Sequence, residues 1–182
     1  QLNAVADVYY VYDESGAAYT VMRSDLATLS KSPRDLYKAQ TLTDKTLSDV
    51  AAMQVNDLQF TQTDGSWTLT DDPDYPVSQS SIKKMAGTIL QMQTVWTVTA
   101  PEADTVYGLD SPDVTAVLTF TDGTSLTVRF GNAVAAAADG SDGDSLCYLA
   151  SDAAPTVVYE VNADSKLAYA VTKESLYEET AT

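Results

Sequence analysis

The residues of this 182-residue chain that could carry chemistry are its carboxylates, tyrosines and one thiol, because it contains no histidine. That absence removes the commonest general acid/base and the commonest zinc or copper ligand, and it makes a Ser-His-Asp triad impossible within the chain. Asp71, Asp72 and Asp74, with Glu102 and Asp104, could supply the paired carboxylates of glycoside hydrolysis. Such a pair needs one acid in an apolar pocket so that it stays protonated, whereas these five lie in polar, proline-punctuated loops. Asp139-Gly140-Ser141-Asp142-Gly143-Asp144 is rich in oxygen and suits a hard cation such as calcium. Its spacing departs from the EF-hand pattern at Gly143, and no glutamate follows at position twelve, so a solvated hairpin tip is expected. Cys147 lies in the apolar run Leu146-Cys147-Tyr148-Leu149 and reads as a buried, inert thiol. Tyrosine outnumbers phenylalanine eleven to three. Tyr9, Tyr10, Tyr12 and Tyr19 could form a platform that stacks on sugar rings or on a partner protein, or could pack across strands of a half-wet sheet.

The elements that would position these residues are mostly hairpins. Val8 to Tyr12 and Ala17 to Arg23 flank Asp13-Glu14-Ser15-Gly16, and Ser24 or Asp25 then caps a short helix carrying Leu26 and Leu29. Ser32-Pro33 starts a further helical turn. Leu58, Phe60, Trp67 and Leu69 form the next hairpin, around Asp64-Gly65, with Phe60 opposite Leu69 and Gln62 opposite Trp67. Ser78, Ser80 or Ser81 caps the main helix, which is expected to run to about Thr94. Its residues Ile82, Met85, Ala86, Ile89 and Leu90 form one apolar stripe to be laid on a sheet. Val114 to Phe130 is a third hairpin. A three-residue loop, Thr121-Asp122-Gly123 with Gly123 left-handed, brings Val114, Ala116, Leu118, Phe120, Leu126, Val128 and Phe130 to one face.

The last segment repeats the first. Tyr10, Tyr19, Val21 and Leu26 correspond to Tyr148, Tyr159, Val161 and Leu167, and each copy closes on a Leu-Tyr pair, Leu36-Tyr37 and Leu176-Tyr177. The expected fold is therefore α+β: antiparallel hairpins forming a curved sheet, one main amphipathic helix on a face, and an internal repeat. Residues 1–50 are expected to be the tail of a preceding repeat, and residues 51–182 a complete hairpin-helix-hairpin-hairpin repeat. The core is expected to hold Phe60, Trp67, Leu69, Ile82, Ile89, Leu118, Leu126 and Val128.

Trp67-x-Leu69, Pro76, the amphipathic helix, Tyr107-Gly108-Leu109-x-x-Pro112, Asp122-Gly123, Gly131 and Tyr148 resemble the bacterial domain-of-unknown-function family numbered 4340. The resemblance covers most of residues 50–165 and, more loosely, the first 50. It implies an envelope protein with an amino-terminal membrane anchor and an extracytoplasmic repeat region, in some members associated with ABC transporters of the gliding-motility type. It supplies no catalytic residues.

The net charge of −16 opposes binding to a nucleic-acid backbone or adsorption to anionic lipid. The chain opens on Gln1, not methionine, and enters a strand at once, so an upstream segment bearing the anchor is expected. The reading that follows is a non-catalytic extracytoplasmic interaction module, with the accessory role beside a transporter complex that the resemblance implies. Its partner would be a protein or cell-envelope component, and no cofactor, metal or catalytic residue is assigned. The alternative is a carboxylate-dependent glycan hydrolase or glycan-binding domain.

Overall fold

In the computed structural model, residues 2–3, 7–26, 31–135 and 145–178 are described, the first two by backbone alone. The chain is α+β, mostly antiparallel strands with few helices, and it divides into two compact units, Gln1–Lys38 and Ala39–Thr182. Asp139 to Asp144, the oxygen-rich run, lies outside the described residues, as do 27–30 with Leu29.

The first unit is a three-stranded sheet in the order β1 (Leu2–Asn3), β2 (Val8–Tyr12), β3 (Ala18–Met22). A single 3-10 turn follows at Arg34–Leu36, pinned by reciprocal hydrogen bonds between Ser32 and Asp35.

The second unit is built on an eight-stranded antiparallel sheet. Its strands are β4 (Val50–Val55), β5 (Leu58–Thr63), β6 (Ser66–Leu69), β7 (Thr94–Val98), β8 (Val114–Phe120), β9 (Ser125–Ala133), β10 (Leu146–Ser151) and β11 (Val158–Asn162). They lie in the order β6-β5-β4-β8-β9-β10-β11-β7. Phe60 pairs with Leu69 and Gln62 with Trp67, as the period-two pattern requires. Leu118 pairs with Leu126, and the β8–β9 loop is the three-residue Thr121-Asp122-Gly123 with Gly123 at φ 83°.

Helix α1 (Gln79–Leu90) is capped by the Ser78 side chain, which accepts from the Ser81 amide, and it buries Ile82, Met85, Ala86, Ile89 and Leu90. That stripe shares one core with Met53, Phe60, Trp67, Leu69, Ala116, Leu118, Leu126, Val128, Phe130, Leu149 and Val161. Every expected core residue is buried there.

Two elements differ from the sequence expectation. The helix stops at Leu90 and does not reach Thr94: Gln91 turns out of helical geometry, and the β-branched and aromatic run Thr94-Val95-Trp96-Thr97-Val98 becomes the edge strand β7 beside β11. Val50–Val55 is a strand inserted between the two hairpins, pairing with both β5 and β8. Its alternation is interrupted by a bulge after Val50, which hides the period-two signal.

Tyr107-Gly108-Leu109 forms a second, smaller apolar cluster. Helix α2 (Asp104–Tyr107) ends on Gly108 in the left-handed region at φ 67°, and Tyr107 and Leu109 pack with Val158, Val98, Tyr148 and Ala150. Gly131 and Asn132 together oppose Tyr148 in a β-bulge. A Cβ on Gly131 would meet the Tyr107 carbonyl oxygen at 2.2 Å, so the glycine is what lets this turn lie against β9.

Candidate functional site

The β2–β3 register decides how the tyrosines are used. Tyr9 pairs with Val21 and Val11 with Tyr19, while Tyr10 pairs with Thr20 and Tyr12 with Ala18. Because successive side chains point to opposite faces, Tyr9 and Tyr19 lie on one face with Val11 and Val21, and Tyr10 and Tyr12 on the other. The single four-tyrosine platform is therefore corrected to two faces of two tyrosines each. Tyr12, Tyr19 and Met22 are more than half exposed, at 67%, 54% and 52%. The Tyr19 hydroxyl donates to Asp13 at 3.0 Å. Asp13 also accepts from the Ser15 hydroxyl and from the Ser15 and Ala17 amides, so this acid organises the turn.

The five acids weighed for hydrolysis are taken up separately. Asp72 accepts from Lys173 at 2.7 Å, and the same ammonium lies 4.7 Å from the centre of the Tyr75 ring. Asp104 accepts from Arg129 at 3.0 Å. Glu102 uses its backbone amide to bind the Tyr107 hydroxyl oxygen, and Asp71 and Asp74 are exposed.

Elsewhere, hydroxyl–carboxylate contacts pair Ser15 with Asp13, Ser32 with Asp35, Thr46 with Asp49 and Thr124 with Asp122. In each the carboxyl is held below the ordinary aspartate range by its hydrogen bonds, Asp122 most strongly, with Lys45 as the main cause. Such groups are weak bases. Cys147 is buried, and burial pushes its thiol up, away from the nucleophilic thiolate. Among the described residues no group of three or more His, Cys, Asp or Glu is placed to hold a metal ion.

Sequence reasoning overlooked a cavity of about 230 Å³ beside α2, on the sheet face opposite α1, lined by Asp104, Thr127, Arg129, Ser151, Asp152 and Pro155 among others. Arg129 reaches both Asp104 and the Leu109 carbonyl, at 3.0 and 2.5 Å, and Asp152 accepts from the Thr127 amide at 2.8 Å. Arg129 thereby ties the Tyr-Gly-Leu turn to β9. The available signal was a lone arginine inside a strand that otherwise alternates Leu126, Val128 and Phe130. Glu160 was also missed: it is buried on β11, opposite Tyr148 and Trp96. Its place in Val158-Tyr159-Glu160-Val161 reads as a wet position, and the flanking strands β7 and β10 come to it only through the tertiary fold.

No family model, curated protein or solved structure matches this chain. Among the described residues no helix is long and apolar enough to cross a membrane.

Proposed function

We propose that this chain is a non-catalytic interaction module of the bacterial cell envelope, with an internal repeat built on curved sheet. The observation that carries this reading is the apolar and aromatic surface of the first unit. Tyr12 and Met22 are exposed on one face of a small sheet, Tyr19 on the other, and Leu36 on the turn that follows. Large apolar groups gathered on one small unit mark an interaction surface more strongly than the same groups scattered. The carboxylates that touch hydroxyls support it further, since their proton affinities are shifted away from those of a general base.

The extracytoplasmic location, the anchor ahead of the chain and the role beside an ABC-type transporter come from the resemblance to family 4340. They rest on the quoted motif residues alone. Fractionation of cells expressing the natural gene product checks the location, with the envelope fraction as the expected result and a purely cytosolic product as the result that removes it. Catalysis is checked by screening glycan, peptide and ester substrates, where no turnover is expected. Hydrolysis abolished by Asp104→Asn or by another single carboxylate change would promote the glycan-hydrolase reading instead.

A further inference from the structure

The first unit and the closing third of the second unit share one backbone plan. In the first, Val8 pairs with Met22, Tyr9 with Val21, Tyr10 with Thr20 and Val11 with Tyr19. In the second, Leu146 pairs with Asn162, Cys147 with Val161, Tyr148 with Glu160 and Leu149 with Tyr159. Strands β3 and β11 stand 140 positions apart over their whole length, as do the two 3-10 turns, Arg34–Leu36 and Glu174–Leu176. Both turns end on a tyrosine with nearly equal angles, φ −66° and ψ 133° at Tyr37 against φ −62° and ψ 130° at Tyr177. Both are braced by the same local bonds, Ser32 with Asp35 and Thr172 with Ser175. On the other side, Leu2 opposes Tyr9 as Ala133 opposes Cys147.

Burial is what differs. Leu176 is 1% exposed and Leu36 is 64% exposed. Val158, Tyr159 and Val161 are buried, while their counterparts Ala18, Tyr19 and Val21 are exposed or half-buried. In the second unit, residues 172–178 close the module as a strap. The Ser78 amide donates to the Leu176 carbonyl, the Glu178 amide to the Pro76 carbonyl, and Tyr75 packs edge-on against Tyr177. Lys173 binds Asp72 in the run Asp71-Asp72-Pro73-Asp74.

We propose that residues 1–38 are the closing tail of a further module built like residues 39–178, and that its acceptor is such a module lacking a tail of its own. Leu36 would fill the place that Leu176 fills here, and the face of Tyr9, Val11, Tyr19 and Val21 would lie under the partner's amphipathic helix. A second copy of this chain does not offer that acceptor, because its own Leu176 occupies it. Charge agrees: residues 31–38 carry Lys31, Arg34 and Lys38 against Asp35 alone, and the loop that receives the strap here carries three aspartates. This names the partner of the interaction module proposed above. Turnover in the substrate screen would remove that reading and leave the present one standing.

Two measurements on the full chain test it. In the first, residues 172–178 are replaced by the sequence of residues 32–38. The exchanged strap is expected to keep the Ser78 amide protected from hydrogen exchange, and to lower the melting temperature less than Leu176→Ala does. Loss of that protection, or a drop as large as that of Leu176→Ala, overturns the proposal. In the second, a copy of residues 39–132 is joined directly ahead of Leu2. The amides of Ala18–Met22 are expected to gain protection, and Leu36→Ala to lower the melting temperature of this tandem but not of the original chain. Unchanged exchange at Ala18–Met22 overturns the proposal whether or not the added segment folds, since closing that segment is the role assigned to the tail.

Discussion

Leu118 is fully buried between β4 and β9, opposite both Met53 and Leu126. Leu118→Ala is expected to cost about 2–5 kcal/mol in urea unfolding, because the sheet and α1 hold the cavity open from both sides. A loss below about 1 kcal/mol would place that face in solvent, against the range for a buried leucine. Trp67 is a different case. It is among the largest buried side chains, yet its indole N–H has no hydrogen-bond partner. An orphan donor offsets part of the burial gain, so Trp67→Phe is expected to cost under about 2 kcal/mol, despite the smaller ring. A larger loss would mean that ring volume, not the N–H, dominates at this position.

At the scale of elements, the Tyr-Gly-Leu turn and β9 form one device. Gly108 takes the left-handed cap with the Asn132 side chain pressed against it, and Gly131 yields the space for the Tyr107 carbonyl. Gly131→Ala is expected to destabilise by at least the roughly 1–3 kcal/mol of an overpacked core, because the obstructing atom is backbone and cannot rotate away. Hydrogen exchange should show α2 and the β9 bulge loosening together. Protection that falls at β9 alone would separate the two elements. Ser78→Ala removes the side-chain cap of α1 and should cost about 0.5–2 kcal/mol, a loss read in the same unfolding assay.

For the whole molecule, charge and ionisation set the response to solvent. The net charge of −16 makes the compact state repel itself. Melting temperature should therefore rise from low salt to about 0.15 M, where the screening length falls to about 8 Å. A flat response would mean that the local ion pairs already balance the field. Alkaline pH acts through Tyr169, whose buried hydroxyl donates to the Met85 carbonyl and whose proton affinity burial raises strongly. A group whose folded value lies above its unfolded one stabilises fully below the unfolded value, about 10 for tyrosine, and loses that contribution as pH rises further. Stability should thus fall above about pH 10, with a shallower decline in Tyr169→Phe.

The Ile82-to-Leu90 stripe, the Phe60–Leu69 register and the three-residue Asp122-Gly123 loop were all legible in the sequence. Each depends on local periodicity or on one glycine's freedom, and neighbours in the chain carry those signals. The candidate site was legible only in its residue types. Tyr9 and Tyr10 lie on opposite faces because strand geometry separates adjacent side chains, so composition could not make them one platform. Tertiary structure alone placed β4 and β7, through pairings with β8 and β11 that lie 60 or more positions away. It also decided that Asp72 answers Lys173, that Asp104 answers Arg129 and that Glu160 is enclosed. The motif Tyr107-Gly108-Leu109 with Gly131 shows the division most plainly. The sequence by itself determined that Gly108 can take the positive φ of its turn and that a second glycine, Gly131, follows the third hairpin. Only the fold decided that one of them makes room for the other's turn, because that contact crosses 24 residues of chain and depends on the bulge in β9.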